Sequence, residues 1–236
     1  MNGLLISVTD TGEAEVALRT GIDILDLKNP AEGALGQLPL PIIAEIVSIA
    51  GSRCTTSATI GDLPMQPEIL SKAVERLAVT GVDIIKIGFF GSRQHEACAR
   101  AITRAANGRV QLIAVLMADQ SPDFALLPLL KAAGFYGVML DTANKQDGHL
   151  LNHLNIQQLR EFCDIARKQK LAIGLAGSLG EAHIPALAEL QANYLGFRGA
   201  VCVNNDRIAE LDAGRLGVIK ELLYKYNRSR QHVLTP

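Results

Sequence analysis

The sequence predicts a single (β/α)8 barrel of the TIM type, on three observations. Short runs rich in Ile, Val and Leu alternate with helical stretches from end to end. The runs are apolar at nearly every position, so the sheet they form is covered on both faces, which points to parallel strands. Eight strand–helix units in 236 residues average about thirty residues, the size of one βα unit. A doubly wound open sheet is the second fit.

The strands are expected at Leu4–Val8, Ile22–Leu27, Thr55–Ile60, Asp83–Ile87, Val110–Leu116, Tyr136–Leu140, Ala172–Leu175 and Tyr194–Phe197. Between them, apolar residues recur at helical spacing, as in Leu159, Phe162, Cys163 and Ala166. A weak repeat marks the units: Thr20-Gly21-Ile22-Asp23-Ile24 returns as Thr80-Gly81-Val82-Asp83-Ile84, and more loosely as Ala133-Gly134-Phe135-Tyr136-Gly137. Each Gly is read as a left-handed helix cap that turns the chain into the next strand. Nothing in the composition divides the chain, so residues 1–225 are expected to form one domain. The polar, basic residues 226–236 are expected to be a flexible tail that frays.

Composition narrows the function. A chain of this length buries roughly 70–75% of its unfolded surface and needs no disulfide or metal to fold. Aromatic residues are only 4%, so the core must be Leu, Ile, Val and Ala, as in packed aliphatic barrel layers. A net charge of −1 offers no field for nucleic acid. The longest apolar stretch, Leu112 to Ala118, is too short to cross a membrane. The N-terminus lacks a secretory pattern. Four scattered Cys without a C-x-x-C pair read as reduced thiols, so a cytoplasmic protein is expected. An exposed apolar helix face would leave a homo-oligomer open.

In such a barrel, function gathers at the carboxyl ends of the strands. The first strand ends in Thr9-Asp10, with Asp10 read as a helix cap. The second ends Asp26-Leu27-Lys28, where Asp26 and Lys28 share one face with Ile24, pointing inward. An inward Lys beside a carboxylate is costly unless paired. The pair is either structural or a Schiff-base or proton-transfer lysine held by an acid, and its place at the strand end favours the latter. A loop follows, Glu32-Gly33-Ala34-Leu35-Gly36, that could cover a substrate. Asp62, after the third strand, fits helix entry and substrate contact equally.

The fourth strand carries Lys86 amid apolar residues, and two inward lysines would lower each other's pKa toward nucleophilicity. The sixth ends Asp141-Thr142-Ala143-Asn144-Lys145, a second Asp/Lys pair. The last two strands run into Gly177-Ser178 and Arg198-Gly199-Ala200. Small residues there let backbone N–H groups approach a phosphate, and Arg198 adds charge. Asp206, Arg207 and Arg215 read more as solvated surface than as a second anion cluster. His149 and His153 lack a third ligand, so no metal is expected, and no cofactor motif is present. Together these features suit carbon–carbon chemistry on a phosphorylated carbonyl compound, with an iminium as electron sink.

Blocks of this sequence also resemble a known family. They are LLISVTD, D-L-K-N-P-A-E-G-A-L-G, S-A-T-I-G-D, D-I-I-K-I-G, L-D-T-A-N-K, L-A-G-S-L and F-R-G-A-V-C, spread over nearly the whole chain. The chain resembles the (5-formylfuran-3-yl)methyl phosphate synthase family. The resemblance implies a (β/α)8 lyase that joins two glyceraldehyde 3-phosphate molecules into a furan aldehyde phosphate, losing phosphate and water. It implies a place in the making of methanofuran-type C1-carrier cofactors, a phosphorylated triose as partner, and no cofactor.

By position, it implies that Lys28 forms the Schiff base beside Asp26. It further implies that Lys86 is a second active-site lysine, and that Asp141 and Lys145 are an acid and base pair. One departure is visible. The family's fifth strand end carries a further lysine shortly after an Ala-Asp, whereas here Gln120-Ser121-Pro122 follows Ala118-Asp119. Two rivals stay open at this point: another Schiff-base aldolase or lyase on a phosphorylated aldehyde, and a barrel that binds phosphate without turnover.

Overall fold

The computed structural model describes residues 2–233, with side chains through residue 229. In chain order the elements are β1 (Gly3–Val8), α1 (Thr11–Thr20), β2 (Ile24–Leu27), α2 (Leu40–Ala50), β3 (Thr55–Thr59), α3 (Pro67–Ala78), β4 (Ile84–Gly88), α4 (His95–Ala106) and β5 (Gln111–Met117). They continue with α5 (Leu126–Ala133), β6 (Gly137–Asp141), α6 (Leu150–His153), α7 (Ile156–Lys168), β7 (Ala172–Leu175), α8 (Ile184–Ala188), β8 (Tyr194–Phe197) and α9 (Ala213–Val233). The eight strands close into one parallel barrel in sequence order, β1 pairing with both β2 and β8. Among the described residues no helix is long and apolar enough to cross a membrane.

The alternation of side chains along each strand builds two layers. Leu4, Ile6 and Val8 of β1, Leu25 and Leu27 of β2, Ile85 and Ile87 of β4, and Val138 and Leu140 of β6 face outward into the helices. Leu5, Ile24, Ile84, Ile113, Val115, Met117 and Met139 fill the barrel interior. Ala34 and Leu35, from the loop after β2, join that inner cluster and plug part of the barrel mouth.

The repeats have a physical cause. Gly21 and Gly134, at φ of 74° and 100°, are the left-handed caps of α1 and α5, whereas Gly81, at φ 82°, lies two residues beyond Val79, the cap of α3, and turns the chain toward β4. The Asp two residues after Gly21 and after Gly81 ties its strand to the preceding one. Asp23 accepts the Leu4 N–H at 2.7 Å, and Asp83 accepts the Thr56 N–H at 2.8 Å and its hydroxyl at 2.7 Å. Asn193, entering β8, does the same for the Ile173 N–H at 2.8 Å.

The C-terminal end departs from the sequence expectation. Helix α9 runs through Tyr226 to Val233, where a frayed tail is expected from residue 226. The polar Asn227 has a partner that the sequence does not reveal. Its Oδ1 accepts the Asn2 N–H at 2.9 Å and its Nδ2 donates to the Asn2 carbonyl at 2.8 Å. The end of the expected tail, residues 234–236, lies outside the described residues.

Candidate active site

A cleft of about 650 Å³ opens at the carboxyl ends of the strands, lined by Lys28, Asp141, Lys145, Gly177, Ser178, Gly199, Ala200 and Arg207 among others. Its floor is set by strand parity. Inward positions two apart on β2 carry Ile24 and Asp26, and Lys28 continues the same face one residue past the strand. Strand register lines Asp26 up with Ser7 of β1 and Ser57 of β3, and Thr59 with Lys86 of β4.

This register decides the pairing. Asp26, with no exposed surface, holds Lys86 at 2.6 Å, and Lys86 is itself 1% exposed. The Ser57 hydroxyl donates to Asp26 Oδ1 at 2.6 Å and the Ser7 hydroxyl to Oδ2 at 3.0 Å. The acid beside Lys28 in sequence therefore makes its direct ion pair with the other inward lysine. Lys28 lies 3.6 Å from Asp141 Oδ2 instead. Asp141 also accepts Lys145 and the Thr142 N–H, the latter at 2.8 Å. Lys145 donates further to the Thr142 hydroxyl at 3.1 Å. The strand-six pair is thus a joined pair within the site.

The electrostatics follow from burial and neighbours. Burial pushes the Asp26 carboxyl up, but the Lys86 and Lys28 ammoniums outweigh it and hold the group below the usual carboxylate range. Burial likewise works against Asp141, and Lys145 and Lys28 bring it well below that range. Burial pushes the Lys86 ammonium down and Lys28 adds to this, against the pull of Asp26. Burial, Lys28 and Arg207 move Lys145 down, opposed by Asp141. Two anions and three lysines share one poorly solvated space, the setting in which an amine can lose its proton.

The loops above the floor are fixed by acids that the sequence leaves ambiguous. Asp62 neither caps a helix nor reaches the floor: its carboxylate accepts the N–H groups of Ala34 at 3.0 Å and Leu35 at 3.3 Å, pinning the plug. Gly33, at φ 102°, permits this, because a side chain there would run into the Asp62 carboxylate. Asp119 accepts the N–H groups of Ala143 at 2.8 Å and Asn144 at 2.7 Å, and so steers the loop that carries Lys145. Asp10 caps α1 through the Glu13 N–H at 2.9 Å. His149 and His153 do not form a metal pair: His149 packs its ring on His183, with centroids 4.1 Å apart.

The phosphate assignment divides. Among the described residues, the Gly177, Ser178, Gly199 and Ala200 N–H groups donate to no protein acceptor, and a Cβ on Gly180 would lie 3.9 Å from Ala200, so the two loops border one hollow. Gly177 has φ 108°, and a Cβ there would sit 3.0 Å from the Thr142 methyl. Arg198 does not reach into that hollow as a free cation. Its five N–H groups are spent on Glu13 (2.5 and 3.1 Å) and on the carbonyls of Ser7, Arg207 and Ala209. Glu13 also accepts the Leu211 N–H at 3.0 Å, so Arg198 bolts the barrel to its last loop. The expectation of a phosphate-gripping Arg198 is corrected on that ground. Arg207, read from sequence more as solvated surface than as part of an anion cluster, lines the cleft from the loop after β8, while Arg215 turns to Asn205 at 2.6 Å. The one available signal was that loop's position in the last barrel unit.

Comparison with known proteins supplies the family. The family model described as 4-HFC-P synthase matches residues 4–220. The chain belongs to the 4-HFC-P synthase family. A Methanococcus maripaludis protein (strain S2) named (5-formylfuran-3-yl)methyl phosphate synthase is 34% identical, covering 93% of this chain and 97% of its own. A Methylorubrum extorquens protein carrying the same synthase name provisionally is 41% identical over 93% of this chain and 91% of its own. Among solved structures, 3-hexulose-6-phosphate synthase from Salmonella typhimurium superposes with a TM-score of 0.70 at 17% identity, covering 95% of this chain and 99% of that one. KGPDC from Streptococcus mutans gives 0.66 at 10%, covering 96% and 99%. At these identities the structural likeness speaks for the barrel fold alone.

Proposed function

We propose that this enzyme is a lyase that condenses two glyceraldehyde 3-phosphate molecules into (5-formylfuran-3-yl)methyl phosphate, through an iminium on Lys28, as a step toward methanofuran-type cofactors. The product is the one in the relatives' names. The observation that carries the mechanism is the unequal setting of the lysines: Lys28 faces the open cleft with one carboxylate at 3.6 Å, while Lys86 is sealed beneath on Asp26 and Lys145 is held by Asp141 and Thr142.

Lys28 reacts as the free amine, its proton passing to water, and attacks the aldehyde carbon of one triose phosphate. Loss of water gives the iminium, which makes the neighbouring C–H acidic. Asp141, with Lys145 returning protons, moves that hydrogen and forms the enamine. The enamine carbon bonds to the second aldehyde, and elimination of phosphate, ring closure and dehydration follow. Two C3 triose phosphates balance as one C6 furan phosphate, one phosphoric acid and two waters, with no oxidant. Asp26 and Lys86 act from below as a charge pair that holds Lys28's surroundings in place. The free amides of Gly177, Ser178, Gly199 and Ala200 are suited to a phosphate.

The test is incubation with glyceraldehyde 3-phosphate alone, followed by absorbance and mass. A furan-aldehyde band and a product of the mass of (5-formylfuran-3-yl)methyl phosphate are expected. A simple aldol adduct would replace this reading with another Schiff-base aldolase. Thermal stabilisation without any product would replace it with a non-catalytic phosphate-binding barrel.

A further inference from the structure

Among the described residues, four cationic side chains line the cleft: Lys28, Lys145, Arg198 and Arg207. Three of them have a carboxylate in ion-pair range. Asp141 serves Lys28 and Lys145, and Glu13 serves Arg198. Arg207 differs. It has no carboxylate in ion-pair range, and its guanidinium makes one hydrogen bond, from Nη2 to the Gly33 carbonyl at 3.0 Å. A partly buried cation with a neutral partner is under-compensated, and an anion entering the cleft would relieve that cost.

Its position names the anion's place. The Arg207 stem rises beside Gly199, where an added Cβ would lie 3.8 Å from Arg207 Cβ. The unused amides of Gly199, Ala200, Gly177 and Ser178 border the same hollow. Burial pushes the guanidinium down from its ordinary value and Arg198 adds to this, against the more distant pull of Asp141 and Asp62.

We propose that Arg207 is the residue that grips a substrate phosphate, and that through Gly33 it couples this phosphate to the loop following Lys28. The proposal rests on the reading that the substrate is a phosphorylated aldehyde. A guanidinium offers a planar fork that matches phosphate oxygens two at a time. Nε and Nη1 are free to take that role while Nη2 keeps, or gives up, the Gly33 carbonyl. Gly33 precedes Ala34 and Leu35, the plug that Asp62 pins over the barrel mouth. A phosphate held by Arg207 would thus be felt at the cover of the Lys28 site. Arg198, which the sequence favours for this task, has no N–H left to give.

The competing reading is that Arg207 only pins the loop. Isothermal titration of inorganic phosphate into the full chain, kinetics with glyceraldehyde 3-phosphate, and melting without phosphate separate the two. Arg207→Gln should weaken phosphate binding by about tenfold to a hundredfold, the effect of a lost charged hydrogen-bond donor, and raise KM more than it lowers kcat. Arg207→Lys should recover part of the binding, since it keeps the charge and loses the fork. Phosphate binding by Arg207→Gln within about twofold of the native chain, or no phosphate binding by the native chain, would overturn the proposal. So would a lower melting temperature with KM unchanged. Should Arg207→Gln not fold, Arg207→Lys decides, because undiminished phosphate binding by it would also overturn the fork. A native chain that binds phosphate through Arg207 yet forms no furan would defeat the proposed reaction and leave this inference standing.

Discussion

Replacing Asp26 by Leu removes the counter-charge of an ammonium that is 1% exposed. Lys86 then sits in the barrel interior with no carboxylate at hydrogen-bond distance. Breaking one side of a buried pair costs about 3–5 kcal/mol, and each of the two stranded hydroxyls, Ser7 and Ser57, adds roughly 1 kcal/mol. Lys86→Met in the same background removes the charge, and the double variant should regain most of the 3–5 kcal/mol, leaving the hydroxyl part. The assay is urea unfolding of the native chain, both singles and the double, with the slope held constant as the check that only stability moved. The loss also has a pH signature. A lysine whose folded pKa is depressed binds fewer protons folded than unfolded in the window between the two values. Stability therefore rises with pH there, up to about 10.4, the ordinary lysine value. The Asp26→Leu deficit should shrink as pH rises into that window. A cost below about 1 kcal/mol, or singles that simply add in the double, would refute the pair as a coupled unit.

Three other outcomes follow from the same geometry. Asp141→Asn should lower kcat by about a hundredfold to ten-thousandfold, the usual worth of a proton-transfer group, in steady-state assays with glyceraldehyde 3-phosphate. Arg198→Met should lower unfolding stability by about 3–5 kcal/mol through the stranded Glu13, yet leave phosphate titration close to native. Asp26 and Asp141 are held below the ordinary carboxylate range, so the stability they supply is present above about pH 4 and lost as pH falls through their folded values. An acid titration of unfolding free energy should therefore stay flat from neutrality to that point and drop beneath it.

The barrel and the inward face of β2 were legible because both are local. Period-two alternation sets Ile24, Asp26 and Lys28 on one side whatever the rest of the chain does. Partner choice was not legible, because it depends on register between strands. Asp26 meets Lys86 across β3 only once Asp26 is level with Ser57 and Thr59 with Lys86. The same limit explains the arginines. Arg198 and Arg207 are nine residues apart, and what separates a structural bolt from an open cation is Glu13, which lies 185 residues from Arg198. The continuation of α9 past residue 226 was not legible for a like reason, since Asn227 finds Asn2 at the far end of the chain. Asp62 and Asp119 were visible as polar residues at strand ends, but their work on backbone N–H groups of other loops needed the closed barrel.

The central claim is that Lys28 is the nucleophile. It is tested most directly by borohydride reduction of the native chain in the presence of glyceraldehyde 3-phosphate, followed by peptide mass analysis. The account predicts one stable adduct, on the peptide containing Lys28, absent when Lys28→Arg replaces it. An adduct on Lys86 or Lys145 instead, or full activity with no adduct at all, would contradict it.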